Sequence, residues 1–303
     1  MKHYIGFDIG GTTIKYGLLT ETGEILDKGK RETNRENGEK IISDMVAIVK
    51  EYQETQLITA VGVSAPGTIR EDGYMITGGA ILDFYGINLK MILEERLDIP
   101  VVVENDANCA AVAEGWQGAG MGLKNYLFFG IGTAVGGAIV INSHLFKGAN
   151  YNAGEFGYQI VKNIADKNTR LSTLSLTGSV GHGIVDCYTN KNANIESLDG
   201  DAIHTLAKNG DENATQIMDD FYQHLSIGIF NMATAFDPEV ILIGGEISQD
   251  EVFINRLNTE ILALKAGHKD MGNITLPAIK ACKFLNDAGM IGAVYLARQL
   301  VIP

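Results

Sequence analysis

The run Glu104-Asn105-Asp106-Ala107-Asn108 carries the most suggestive chemistry in the chain. A carboxylate flanked by carboxamides can take a proton from a hydroxyl while the amides hold neighbouring hydroxyls, as polyol recognition and hydroxyl activation both require. Asn and Asp also favour helix N-caps, so Asn105 and Asp106 could simply open a helix. A second candidate is Gly10-Gly11-Thr12-Thr13, with Asp8 just before it. Glycines there permit positive φ and expose backbone N–H groups, and the threonines add hydroxyl donors, so the turn could cradle phosphate oxygens. Asp8 is placed to hold magnesium through water. A plain hairpin with a Gly-Gly turn is the other reading.

Four further stretches could serve the same chemistry. Gly132-Thr133-Ala134-Val135-Gly136-Gly137 repeats the glycine-rich turn later in the chain, which suggests two related halves, each offering backbone donors to a phosphate tail. Glu155, in Ala153-Gly154-Glu155-Phe156-Gly157-Tyr158, could accept hydrogen bonds from sugar hydroxyls or be a solvated loop acid. Gly244 and Gly245 could let an adenine or ribose approach the backbone, or could form an ordinary tight strand-to-helix turn. Gly79, in Gly78-Gly79-Ala80, could wall a pocket or merely turn the chain.

These residues need strands and helices to hold them. Val101-Val102-Val103 reads as a strand covered on both faces, with Pro100 at its entrance, and the small residues from Cys109 to Gly115 read as a helix. Asn105, Asp106 and Asn108 then fall on a strand-to-helix turn, where open α/β sheets bind ligands. Further strands are expected at 4–9, 14–19, 25–30, 58–64, 126–131, 138–141, 240–243 and 274–280. Helices are expected around 41–49, from the spacing of Ile41, Ile42, Met45, Val46 and Val49, and at 88–97, 178–188, 213–236, 251–264 and 289–300. Pro238 disfavours helix at Asp237 and so ends the long one. Residues 163–170 are polar and expected to be exposed, and Gly118, Gly120 and Gly122 suggest a hinge.

The chain has 303 residues, room for two domains with sizeable cores. Its net charge of −13, without a basic cluster, argues against a nucleic-acid or anionic-membrane surface. Three widely spaced cysteines fit neither a disulfide framework nor a zinc-ligand pattern, and suit a reducing cytoplasm. Neither a signal peptide nor a run of about 18 apolar residues is present, so secretion and membrane spanning are not expected.

With Asp8-Ile9-Gly10-Gly11-Thr12, Glu104-Asn105-Asp106-Ala107-Asn108, the turn at 132–137, Ala153-Gly154-Glu155-Phe156-Gly157 and Leu242-Ile243-Gly244-Gly245 in this order, the chain resembles the ROK family of sugar kinases and repressors. That family lies within the actin-like ATPase superfamily. The resemblance implies an α/β fold of two ribonuclease H-like domains with an interdomain cleft: 1–115 plus 289–303, the last helix packing back onto the first domain, and 116–288. It implies ATP and magnesium as cofactors, and transfer of the γ-phosphoryl group to a sugar hydroxyl, usually the 6-hydroxyl. Asp106 would be the base, with Asn105 and Glu155 on other sugar hydroxyls and Gly79 and Tyr158 beside the sugar. Asp8, Gly10, Gly11, Thr12, Thr13, Gly132, Thr133 and Gly136 would face the phosphates and metal, and Gly244 and Gly245 the adenosine. A cytoplasmic homodimer without nucleic-acid or membrane partners is the expectation.

The chain departs from the family pattern in three places, two of them connected. Tyr158 stands where the family's usual His follows Glu-x-Gly, and the family's cysteine-rich zinc stretch is absent, so no zinc is expected. The anomeric end of the sugar pocket is therefore expected to be altered or more open. A glycoside or an N-acetylhexosamine such as N-acetylmannosamine could be accepted where glucose would be the default. Ala134, where the family often has Gly, could narrow the phosphate loop. The competing readings are a sugar-responsive repressor, a nucleotide-sensing ATPase without sugar transfer, and a family member that binds sugar and nucleotide without efficient turnover.

Overall fold

The computed structural model describes residues 2–164, 168–192 and 198–301. The chain forms two units, one of residues 1–122, 147–153 and 286–303, the other of residues 123–146 and 154–285.

The first unit is built on a five-stranded sheet of β1 (His3–Ile9), β2 (Thr13–Thr20), β3 (Ile25–Glu32), β4 (Ile58–Ala65) and β5 (Val101–Asn105), in the order β3-β2-β1-β4-β5. The first three strands pair antiparallel, and β4 and β5 add parallel. Parallel strands need covered faces, and these are dense in Val and Ile. On one side Ile5, Phe7, Val61, Val63, Val101 and Val103 share a core with Ile41, Ile42, Met45, Ile48 and Val49 of α1 (Gly38–Gln53). The Asn37 side chain accepts from Lys40 N at 2.9 Å and starts that helix. α2 (Leu89–Leu97) begins one residue later than expected, because Asn88 is its cap. α3 (Asp106–Gln117) begins three residues earlier than expected, because Asn105 caps it.

The other face of this sheet is covered by the chain's last helix, residues 288–301. A Cβ at Gly62 would collide with the carbonyl of Ala293, and one at Gly292 with that of Cys109, so glycines let this helix lie against β4 and α3. Residues 147–153 also dock here: the Lys147 ammonium pairs with Glu104, and Asn152 lies 3.4 Å from the Thr68 hydroxyl.

The second unit repeats the arrangement. Its strands are β6 (Tyr126–Ile131), β7 (Val135–Ile141), β8 (His144–Leu145), β9 (Val240–Gly244) and β10 (Ala278–Ala281), in the order β10-β9-β6-β7-β8. An antiparallel hairpin again meets two parallel strands, so both units have ribonuclease H-like strand order, as expected. The covering helices are α4 (Leu174–Thr177), α5 (Cys187–Lys191), α6 (Gly200–Lys208), α7 (Glu212–Phe236) and α8 (Glu251–Ala266), which makes the final helix, Ala288–Val301, α9. Phe221, Tyr222 and Phe253 pack their rings together where α7 meets α8.

Three local expectations change. The helix expected over 178–188 is wound as a π-helical turn at Val180–Asp186 that continues into α5, with Ser179 at its cap and the Ser179 hydroxyl in contact with the Thr133 and Ser175 carbonyls. The strand at 274–280 shortens to β10, since Pro277 cannot donate to the ladder. The glycine turn at 132–137 spans only 132–134, and Val135, Gly136 and Gly137 already pair in β7. Helix α6 was not anticipated. The described ends of the polar stretch at 163–170 are exposed, and residues 165–167 lie outside the described residues.

Candidate functional site

The first glycine turn is closed by Gly10 N donating to the Thr13 carbonyl at 3.0 Å. Neither Gly10 nor Gly11 has positive φ, contrary to the reason first given for glycine at this turn. At Gly11 a Cβ would only touch Ala80 and the Arg35 stem, at 3.8 and 3.9 Å. The turn is tied to β3's end, with Thr33 Oγ1 donating to the Gly10 carbonyl at 2.8 Å and Thr33 N to that of Thr12 at 2.9 Å.

Asp8 sits behind the turn, its side chain only 19% exposed. Ser64 Oγ, across the β1–β4 pairing, donates to Asp8 Oδ1 at 2.8 Å, and Lys15, its antiparallel partner, lies 3.9 Å from Oδ2. Burial pushes the Asp8 pKa above the ordinary aspartate value, against the opposing pull of Ser64 and Lys15. Gly289 is required for this packing, since its Cβ would collide with Asp8 Oδ1.

The 104–108 turn divides its polar groups between internal and outward use. Asn105 Oδ1 accepts from Asn108 N at 3.1 Å and Nδ2 donates to the Gly67 carbonyl at 2.9 Å, so the capping role is real and leaves one amide N–H for anything else. Asp106 is exposed at the first position of α3, its Oδ1 accepting from Ala107 N at 2.8 Å. Glu104 is buried and accepts from Asn105 N at 2.8 Å and Asn108 Nδ2 at 2.9 Å. Gly79, at φ +55°, closes against Pro66 and Gly67. Gly11, Ala80, Gly79, Gly67 and Asn105 thus form one continuous line of contacts or near contacts within the first unit.

In the second unit the turn is closed by Gly132 N donating to the Ala134 carbonyl at 3.0 Å, with Gly132 and Thr133 exposed. A Cβ at Gly132 would meet nothing. The turn is clamped from behind, with Ser179 Oγ and His182 N donating to the Thr133 carbonyl at 3.0 and 3.2 Å, and Gly181 N to that of Gly132 at 3.0 Å. Gly245, at φ +97°, lies beside it, and a Cβ there would collide with the Ile131 carbonyl. Gly244 faces the Phe128 ring, so both members of this pair have a local steric reason. Gly136 is paired in β7 with Gly130 and does not belong to the turn.

Glu155 is half-buried in the loop after Gly154, and burial raises its pKa above the usual glutamate value. Tyr158, two residues beyond Phe156, is 76% exposed. The stretch that follows is stitched by hydrogen bonds: Val161 N to Ser172 O at 2.9 Å, Leu174 N to Gln159 O at 2.8 Å, and Ser172 Oγ to Asn163 O at 3.0 Å. Among the described residues no three His, Cys, Asp or Glu side chains gather as a metal would need, and no helix is long and apolar enough to cross a membrane.

Sequence reasoning missed Lys15, Ser64, Lys147 and Ser179. Lys15 could have been found by counting outward from the Gly10 turn, which sets it opposite Asp8. The other three arrive through tertiary packing and leave no periodic signal.

A sequence profile of the ROK family matches residues 4–300. A beta-glucoside kinase from Klebsiella pneumoniae is 32% identical over 295 residues, covering 97% of this chain and 95% of that protein. The crystal structure of a ROK family protein from Streptococcus pneumoniae in complex with sucrose aligns with a TM-score of 0.86 at 29% identity, covering 98% of both chains. A ROK family glucokinase from Streptomyces griseus, solved with glucose and AMPPNP, aligns with a TM-score of 0.82 at 27% identity over 98% of this chain and 99% of that one.

Proposed function

The chain belongs to the ROK family, and from this membership we propose that it is an ATP-dependent hexose kinase whose acceptor is a glucose-type sugar or one of its glycosides. The observation that carries the reading is Asp106. Its carboxylate is exposed at the start of α3, with Oδ1 accepting from Ala107 N. In this reading Asp106 accepts the proton of the acceptor hydroxyl as that oxygen forms its bond to the γ-phosphorus and the bond to the β,γ-bridging oxygen breaks, releasing ADP. The remaining amide N–H of Asn105 and the carboxylate of Glu155 would orient other sugar hydroxyls, with Gly79 and Tyr158 at the margins.

The phosphates would be received by the backbone N–H groups and hydroxyls at Gly10, Gly11, Thr12 and Thr13 in the first unit and Gly132 and Thr133 in the second. Gly244 and Gly245 would border the adenosine. Asp8 fits magnesium, which takes one or two carboxylates and keeps several waters; when bound it would neutralise charge on the phosphate oxygens. Phosphoryl transfer depends mainly on positioning and charge neutralisation, which this donor set supplies.

The acceptor class is inferred from the margin of the sugar loop. Tyr158 stands exposed where the family's usual His would be, and backbone bonds with one serine hydroxyl hold the stretch that follows, so the anomeric end is the place where a substituent would fit. The named activity of the Klebsiella protein and the sucrose bound by the Streptococcus protein agree with a glycoside. The family also suggests a cytoplasmic homodimer, and the net charge of −13 argues against a nucleic-acid partner.

Coupled detection of ADP over glucose, β-glucosides, N-acetylglucosamine and N-acetylmannosamine tests the reading. Asp106→Asn is expected to lower turnover by about 10²- to 10⁴-fold with sugar binding kept. Strict preference for free glucose would overturn the glycoside assignment, and sugar binding without ADP release would favour a non-catalytic sugar binder.

A further inference from the structure

We propose that Lys147 is a positioning residue for the Asn105-Asp106 turn, acting through Glu104. Lys147 follows β8 in the chain yet packs in the first unit. Its ammonium pairs with Glu104 Oε2, and the Glu104 side chain is 3% exposed against 21% for Lys147. The opposite oxygen, Oε1, accepts from Asn105 N at 2.8 Å and from Asn108 Nδ2 at 2.9 Å. Glu104 therefore receives the backbone of one turn residue and the side chain of another on one oxygen, and a lysine from far along the chain on the other.

A buried carboxylate is tolerated only when its charge is compensated and its lone pairs are filled. Lys147 supplies the compensating charge. Without it, Glu104 must take up water or turn outward, and either movement withdraws Oε1 from Asn105 and Asn108. Asp106 lies between these two residues in sequence, and its carboxylate would move with them. The segment bearing Lys147 is anchored a second time, with Asn152 at 3.4 Å from the Thr68 hydroxyl, and is folded on itself by Ala153 N donating to the Lys147 carbonyl at 3.1 Å. The next residues in the chain are Gly154 and Glu155. One strap thus steadies the proposed base and leads directly into the proposed sugar-binding acid.

The kinetic part of this assignment rests on the kinase reading; the structural part does not. Full-length Lys147→Met, Lys147→Arg and Lys147→Met/Glu104→Gln are compared with the parent by hydrogen exchange over residues 101–109 and by ADP release. In Lys147→Met, exchange at Asn105 and Asn108 is expected to quicken by about tenfold. The kcat should fall by up to about 10²-fold, the cost of a misplaced reacting group, with the KM for ATP within about twofold of the parent. Lys147→Arg should keep kcat within about threefold. The double variant, in which a neutral amide replaces the uncompensated charge, should recover most of the slow exchange and of kcat even if Lys147→Met folds poorly. Parent-like exchange in Lys147→Met, or failure of Glu104→Gln to rescue, overturns the proposal. A parent chain that releases no ADP with any sugar would instead refute the kinase reading, and the exchange comparison alone would then decide the role of Lys147.

Discussion

The two glycine turns occupy equivalent places in the two units, each joining the first two strands of a sheet of the same order, yet they are built for different electrostatic work. Two residues before the first turn stands Asp8, opposite Lys15 in the ladder; two residues before the second stands Gly130, opposite Gly136. The first turn therefore has a partly desolvated carboxylate and a cation at this ladder position, where the second has two glycines. Support differs in the same sense. Thr33 ties the first turn to its own sheet edge, whereas the second is clamped by Ser179, Gly181 and His182 from a π-helical turn. A repeated topology can thus hold a charge-bearing loop and a neutral donor loop, the distinction residing in a few positions just behind the glycines.

Removing the charge is the strongest way to break this asymmetry. Asp8→Asn is expected to lower kcat/KM by about 10²-fold or more, because the carboxylate that would hold the metal's water shell is gone. The same change should raise the thermal midpoint at pH 8. Burial raises the folded-state pKa of Asp8, so its contribution to stability is full below the unfolded value and is lost as pH rises through the folded one. The gain should therefore vanish toward pH 4; unfolding midpoints at both pH values check the sign, and an equal gain at the two would contradict it.

Next comes a contrast of glycines in the second unit. Gly245→Ala forces a side chain at φ +97° into the Ile131 carbonyl and should cost about 3 kcal/mol in urea unfolding. Gly132→Ala, which meets no protein atom, should stay within about 0.5 kcal/mol while raising the KM for ATP several-fold. Equal destabilisation by the two would mean that the openness at Gly132 is structural. Ser179→Ala should have a smaller effect than Gly245→Ala, about 1–2 kcal/mol, since it removes the one hydroxyl proton that the Ser175 and Thr133 carbonyls share. Its kinetic effect should fall on ATP and spare the sugar, and a change in sugar KM alone would show that the clamp serves another loop.

Much of the fold could be read along the chain because strands such as Val101-Val102-Val103 and helices such as α7 announce themselves by local pattern. The 126–131 strand was read with the bounds it has in β6. Boundaries moved where a single side chain decided them, as with Asn105 capping α3 or Pro277 shortening β10. The 178–188 segment is helical, as its pattern says, but its first turns are π and not α, and Ser179 at its cap reaches the Thr133 carbonyl 46 residues away.

By itself the sequence determined which residue types stand at each turn, the order of most strands and helices, and membership of the ROK family, since these follow from local periodicity and ordered motifs. Only the tertiary structure decided that Asn105 has most of its amide committed, that Gly244 and Gly245 answer to Phe128 and Ile131, and that Lys147 compensates Glu104. Burial and pairing at a distance are properties of the packed chain: the free energy of a carboxylate depends on what surrounds it, and those surroundings come from segments that no local window contains.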